Sequence, residues 1–445
     1  MTKDMTTGSP LRIILLFSIP VLLGNLFQQF YNMVDTIIVG RYLGEEALAA
    51  VGSTGCLMFL VLGFANGIAQ GVMVSHAFGA KDFRLLRHYV ALSLILTLII
   101  SLLLTIPTVT ASRLLLAWMH TPENIIAMAD AYIKVIFAGI LLTMAYNVVS
   151  GILRGIGDSR TPLYFLILSS VLNIILDVVL IVYTGLGTAG AAYATIIAQG
   201  VSAVLCFFYM YRKYEILRTR REDYYLDSAG VKNMLAIGVP MALNYSITAI
   251  GTMIMQSAVN VFGSSVVAAF TAASKVSNIA TQSMPTLGTA MATYCGQNLG
   301  AGKYDRIYAG MRQGLFLCFG AAAAAAAICI FGGRFIVSWF VSNPSEEIFS
   351  SAMQYLTIAS WFFLPLAMIF LYRNALQGLD QGLIPMLSGF IELACRFGVI
   401  ALVPASTGFF GVCFADPAAW VGAGIPLFIT YLLWEHRMKQ RRKTA

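Results

Sequence analysis

Twelve runs of about 20 or more apolar residues fill most of this chain, each long enough to cross a bilayer as a helix. They fall near 13–40, 46–76, 88–112, 124–152, 161–184, 188–211, 231–262, 265–295, 307–340, 347–378, 384–404 and 411–434. Inside hydrocarbon every backbone polar group needs an internal partner, and within a single span a helix supplies it. Only 11% of residues are charged against 59% hydrophobic, where a soluble domain carries about 25% charged residues. The expected fold class is therefore an all-α polytopic membrane protein with twelve transmembrane helices. The last run is the least regular, because Phe414-Ala415-Asp416-Pro417 interrupts it and a proline removes a backbone donor.

Charges between the runs alternate. One set of segments carries Lys3 and Arg12; Lys81, Arg84 and Arg87; Arg154 and Arg160; Arg212 to Arg221; Lys303, Arg306 and Arg312; and Arg437 to Lys443. The other set is short and poor in Lys and Arg: Gly44 to Glu46, Thr121 to Glu123, Thr184 to Thr188, Gly263 to Ser265, Pro344 to Glu347 and Ala405 to Phe410. The positive-inside rule places the first set, with both termini, in the cytoplasm of a multi-pass cell-membrane protein. An even number of spans satisfies that assignment. The first run ends at charge instead of a small-residue cleavage site, so it is expected to be retained as a span. The net charge of +8 is thereby topological, and no basic–aromatic stretch suggests nucleic acid.

The basic stretch Arg212 to Lys232 divides the chain into two halves of six spans, 1–222 and 223–445, and the halves resemble each other. Pro20 pairs with Pro240, Gly44-Glu45-Glu46 with Gly263-Ser264-Ser265, and Phe78-Gly79-Ala80-Lys81-Asp82 with Leu299-Gly300-Ala301-Gly302-Lys303. Leu153-Arg154-Gly155-Ile156-Gly157-Asp158 pairs with Leu376-Gln377-Gly378-Leu379-Asp380-Gln381. Duplicated six-span halves starting on the same side imply parallel lobes related by a pseudo-two-fold axis along the membrane normal, the design of alternating-access transporters.

The polar residues inside the spans are not duplicated. The first half buries Gln28, Tyr31, Asn32 and Asp35 in span 1, Asn147 in span 4, Asn173 and Asp177 in span 5, and Thr195 and Gln199 in span 6. A carboxylate at bilayer depth costs roughly 2.5–3.5 kcal/mol and marks an ion or substrate path. Gln28, Tyr31 and Asp35 share one helical face, as do Asn173 and Asp177. Asp35 lies roughly 13 Å from the outer loop at Gly44, too deep for simple capping. The two carboxylates with oxygens of Asn173 and Thr195 make a hard-oxygen set that suits a proton or, as a metal, Na⁺. Asn173 and Thr195 could also simply join helices by hydrogen bonds. The second half offers Gln256, and Glu392 with Arg396 four residues apart on span 11, read either as an internal ion pair or as a polar gate contact. Arg373 is expected to snorkel to the cytoplasmic face, and Lys275 has no carboxylate nearby in sequence.

The span-1 pattern with Pro20 and Asp35, Val39-Gly40-Arg41-Tyr42-Leu43-Gly44, Leu153 to Asp158 with Pro162, Asn173-x-x-x-Asp177 and Gln297-Asn298-Leu299-Gly300-Ala301-Gly302 together resemble the MATE (multidrug and toxic compound extrusion) transporters over nearly the whole chain. The resemblance implies two six-helix lobes in a V-shaped outward-open state and H⁺- or Na⁺-coupled antiport of cationic amphipathic drugs. It also implies a cation site at Asp35, Asn173, Asp177 and Thr195, with Gln28, Tyr31 and Asn147 adjoining. The acidic residues that another branch carries on spans 7 and 10 are lacking here, since span 7 has no carboxylate and span 10 has only Glu346 and Glu347 at its outer entrance. The substrate-facing candidates are then Gln28, Tyr31, Asn32, Asn147, Gln199, Gln256, Glu392 and Arg396.

Other classes fit less well. The four histidines His76, His88, His120 and His436 lie near span ends and read as unpaired, and the seven cysteines form no CxxC or His-paired set. Neither a membrane enzyme nor a cofactor other than the coupling ion is expected. A phosphate-cradling Gly-rich loop is also absent, so transport would run on an ion gradient. The alternative, a flippase of a lipid-linked precursor, would need several basic residues in a central cavity, and here the acids dominate. The expected partners are the bilayer and small organic cations, and the expected state is a monomer.

Overall fold

The computed structural model describes residues 4–68, 71–119, 121–340, 345–402 and 407–444; Lys3, His120, Pro344 and Ala405, used above, lie outside them. The described residues are almost entirely helical. The first half contains α1 (Pro10–Leu43), α2 (Glu45–Ser53), α3 (Gly55–Ile68), α4 (Val72–Gly79), α5 (Phe83–Trp118), α6 (Glu123–Ala138), α7 (Ile140–Gly155), α8 (Arg160–Asp177) and α9 (Gly187–Lys213). The second contains α10 (Ser228–Asn260), α11 (Ser264–Ala280), α12 (Ser283–Gly300), α13 (Tyr304–Phe340), α14 (Glu346–Trp361), α15 (Phe363–Gly378), α16 (Leu383–Leu402), α17 (Gly408–Val412) and α18 (Ala415–Thr444).

Nine stretches among the described residues are long and apolar enough to cross a membrane, and eleven when the bent pairs α6–α7 (47°) and α14–α15 (53°) each count as one. The remaining expected span, 265–295, is the pair α11–α12, broken at Thr281-Gln282. The Ser, Thr, Gln and Asn residues of α12 make it less apolar than the others. The bend between α6 and α7 sits at Gly139, where a Cβ would lie 2.3 Å from Ile196 of α9. A side chain there would displace α9, so the kink and the close approach share one glycine.

Large apolar side chains point outward along the helices: Leu103, Ile106, Phe316 and Phe331 are all exposed. In a chain this apolar, such a surface is solvated by lipid. Trp118, Trp339 and Trp361 are exposed at or near helix ends, as in the aromatic belts of membrane–water interfaces.

The contacts divide the chain into two compact units. Unit 1 comprises Met1–Asp4 with Ile19–Tyr245, and unit 2 comprises Met5–Ser18 with Ser246–Ala445. The divisions fall inside α1, next to Pro20, and inside α10, five residues after Pro240. Each half's first helix is thus shared between units, which a cut between residues 222 and 223 does not capture. In unit 1, α9 packs on α6, α7 and α8. Its Gly190, Ala191, Ala192, Ala194 and Ala198 are buried, and small residues are what let helix backbones approach without a hydrophobic driving force. In unit 2, α15 holds the central place against α12, α13 and α18.

The backbone carries the duplication. Lys81 and its partner Gly302 take left-handed φ values of 56° and 67°, and Gly157 and Asp380 take 83° and 61°. All four end a helix with the same paired bonds, for example Lys81 N to Phe78 O with Asp82 N to Ala77 O, and Gly302 N to Leu299 O with Lys303 N to Asn298 O. This is the Schellman cap.

Candidate functional site

Asp35 on α1 and Asp177, the last residue of α8, bring their carboxyls within hydrogen-bonding reach of each other. Asp177 is fully buried, and one oxygen of each, Asp35 Oδ1 and Asp177 Oδ1, is buried with no hydrogen-bond partner. Two negative charges at that separation repel strongly where the dielectric is low. A proton or a small cation shared between them offsets that repulsion.

The neighbours supply oxygen and little else. Asn173, one helical turn before Asp177, reaches Thr195 Oγ1 at 3.3 Å. With its amide turned the other way its nitrogen donates to Asp177 Oδ2 and its oxygen accepts from Thr195 N, both at 3.3 Å, which satisfies both ends. The Tyr31 hydroxyl bonds Gln199, and Gln199 Oε1 accepts from Thr143 Oγ1 at 2.5 Å. Asn147 donates to Thr143 O at 2.9 Å. Asp35, Asn173, Asp177 and Thr195 form one cluster, with Tyr31, Gln199 and Asn147 in a connected layer beside it. Carboxylate, amide and hydroxyl oxygens suit a proton or a hard cation. No group of three or more His, Cys, Asp or Glu among the described residues could hold a metal.

Two features of the cluster had no reading in the sequence. Tyr132 of α6 is buried beside Tyr31, Asp35 and Asp177. Its residue type reads equally as core or interface, and only α6 packing on α9 brings it in. The second is a π-helix, Val178–Tyr183, that begins directly after Asp177; such turns concentrate at functional sites. Of the other candidates, Gln28 and Asn32 are exposed, and among the described residues no side-chain bond joins Asn32 to the cluster. Gln256 bonds Asn260 on its own helix at 2.9 Å, in unit 2.

The second-half charges pair differently from the i, i+4 expectation. Glu392 is bonded to Arg373 of α15, and Arg396 pairs with Asp416 of α18 at 2.7 Å. Tyr355 donates to the same Asp416 at 3.0 Å. Arg373 does not snorkel: it is 7% exposed and held by Glu392. The helix-to-helix partners α15 and α18 outcompete the neighbour on the same helix because buried charges need close, directed partners. Lys275 is exposed on α11 and makes no ion pair among the described residues. His88, read as unpaired, lies 2.7 Å from Asp227.

Comparison with known proteins agrees with this arrangement of helices. A family model described as MatE matches residues 20–179 and 240–402, one block in each half. YpnP of Bacillus subtilis, named a probable multidrug resistance protein, is 30% identical over 363 residues, covering 81% of this chain and 80% of its own length. YoeA of the same organism, with the same description, is 31% identical over 368 residues, covering 80% and 77%. A crystal structure of MATE in complex with MaL6 superposes with a TM-score of 0.90 at 24% identity, covering all of both chains. With both blocks matched and the helical fold shared end to end, the chain belongs to the MatE family.

Proposed function

We propose that this protein is a secondary antiporter that exports cationic amphipathic drugs or metabolites in exchange for H⁺ or Na⁺. The observation that carries the proposal is the Asp35–Asp177 pair, whose two unpartnered buried oxygens call for a positive charge. In the proposed cycle that charge is the coupling ion, held by Asp35 and Asp177 with Asn173 and Thr195 as oxygen donors. Its arrival removes the negative potential that attracts a cationic substrate. Its departure restores that potential, so drug and ion occupy the unit in turn. One charge moving through 100 mV supplies about 2.3 kcal/mol, enough for useful accumulation.

The names of the Bacillus relatives support drug efflux. The second-half guanidinium groups of Arg373 and Arg396 are each spent on a carboxylate, which favours a cationic substrate over a lipid-linked pyrophosphate. The work is transport and not covalent catalysis, in the cytoplasmic membrane, with both termini inside and the monomer as the working unit.

The test is ethidium efflux from proteoliposomes under separately imposed Na⁺ and pH gradients. Asp35→Asn and Asp177→Asn are each expected to lower gradient-driven efflux at least tenfold while leaving the protein monodisperse and folded. Efflux at the wild-type rate from the doubly substituted protein would sink the coupling model.

A further inference from the structure

We propose that His88 is a pH sensor: as an imidazolium it clamps the segment leading into α10 onto α5, and loss of its proton releases that segment. Both ring nitrogens face acceptors. Nε2 lies 2.7 Å from Asp227 Oδ1, and Nδ1 lies 3.1 Å from the Asp223 backbone oxygen. A neutral imidazole carries one N–H, so it can satisfy only one of these; an imidazolium donates to both. The alternative, a neutral ring beside a protonated Asp227, is disfavoured by Asp227 itself. Its Oδ2 accepts from Gly230 N at 2.6 Å, and that amide, with His88, holds the carboxyl below the usual aspartate range.

The charged groups around His88 are engaged with other partners. Asp223 is engaged through its carboxylate by Arg220 N at 2.7 Å and by Arg87 at 3.4 Å. Tyr225 stacks on the His88 ring at 4.1 Å and 17°, a geometry that favours a cation. Tyr89 lies at 6.0 Å. Glu215, on the turn that also packs against α5, is paired with Arg218. Lys232 lines the open groove beside Asp227 with Leu96, Leu226 and Val231. The His88 side chain is 5% exposed and the Asp227 side chain 33% exposed.

The clamp matters because of where it acts. Residues 223–227 lead directly into α10, the helix that starts in unit 1 and ends in unit 2. A bond lost here frees the start of a helix that both units share. The proposal rests on the topology given above only for the side from which the proton arrives.

Two measurements on the full-length protein in detergent micelles test it. With ¹⁵N-labelled histidine, and the His88 signals assigned by their loss in His88→Gln, both ring nitrogens are expected to be protonated at pH 6. A single neutral tautomer at that pH overturns the proposal. Hydrogen exchange at residues 223–227, corrected for intrinsic chemistry, is expected to be about tenfold faster at alkaline pH, where the imidazolium has lost its proton, than at pH 6. His88→Gln, with a single amide donor group, is expected to exchange fast and without pH dependence. Exchange in the wild type that stays flat with pH also overturns it, whether or not the variant folds.

Discussion

Asp158 shows how much one carboxylate can organise when every lone pair is used. It lies in the loop between α7 and α8 and accepts from Thr161 Oγ1 at 2.5 Å, Thr161 N at 3.0 Å and Arg160 N at 3.1 Å. The Tyr214 hydroxyl, beyond the end of α9, donates to it at 2.5 Å, and Lys213 lies 3.8 Å away. Burial by itself would push this carboxyl up, but Thr161, Tyr214 and Lys213 together outweigh burial and hold it below the usual aspartate range. A depressed value contributes stability that is complete above the ordinary aspartate pKa and is lost as the pH falls through the lower folded-state value. Asp158→Asn is therefore expected to cost about 1.5–3 kcal/mol, as for hydrogen bonds to a charged group. The difference in thermal midpoint from wild type should be constant through neutral pH and close only below about pH 4. A difference that widens on acidification would contradict this account. The residue was visible in the sequence only as part of a repeated motif; that it ties α8 to the end of α9 depends on Tyr214, 56 positions later.

At the scale of elements, α16 separates what a sequence can tell from what it cannot. Its length and apolar character are plain, and so is the i, i+4 placement of Glu392 and Arg396. Spacing on one helix, though, says which residues share a face and not what the face meets. In the structure that face meets two helices, and each charge finds its partner across the gap, on α15 and α18. The first-half carboxylates were legible for the opposite reason: an acid in an apolar span has few explanations, and Asp35, Asn173, Asp177 and Thr195 do converge. Tyr132 and the π-helix after Asp177 were illegible, because tyrosine is ordinary at interfaces and no residue pattern marks a π-turn. The pairing on α16 makes a double-substitution test decisive. Glu392→Gln leaves the buried Arg373 guanidinium without its counter-charge and is expected to destabilise by about 3–5 kcal/mol. Adding Arg373→Met should restore most of that loss, because two neutral groups of similar volume carry no unpaired charge. Thermal midpoints of the four proteins in micelles give the coupling directly. Additive losses would mean that the two side chains do not act on each other.

For the whole molecule, residues 5–18 belong with the second half. Met5 is fully buried, and the chain around it is held by side chains from α12 and α13. Gln297 Oε1 accepts from Met5 N at 2.9 Å. Met5 O accepts from Asn298 at 3.2 Å and from Arg306 at 3.1 Å; Arg306 also reaches Gly8 O at 2.9 Å, and Lys303 reaches Thr6 O at 2.8 Å. Leading segments usually fray unless tied down, and this one is tied by the Met5 N–H, by backbone carbonyls and by the Thr6 hydroxyl, which Lys303 reaches at 3.1 Å. The residues that do the tying come from the motif Gln297 to Gly302 and the helix start that follows. That motif carried the family resemblance with no stated task, and here it has one. From this anchor α1 runs on into unit 1 and carries Asp35. Arg306 is the member to remove, because it makes three of the bonds, including one from Nε to Asn298 Oδ1 at 3.1 Å that orients the amide. Arg306→Met is expected to raise the hydrogen-exchange rate of residues 5–11 by about tenfold to a hundredfold, from the ~1.5–3 kcal/mol that bonds to a charged group contribute. Exchange in α15, at the centre of unit 2, should not change, since opening the anchor is a local event. Acceleration in α15 by the same factor would mean that the segment is part of the core of unit 2 and not a strap laid across it.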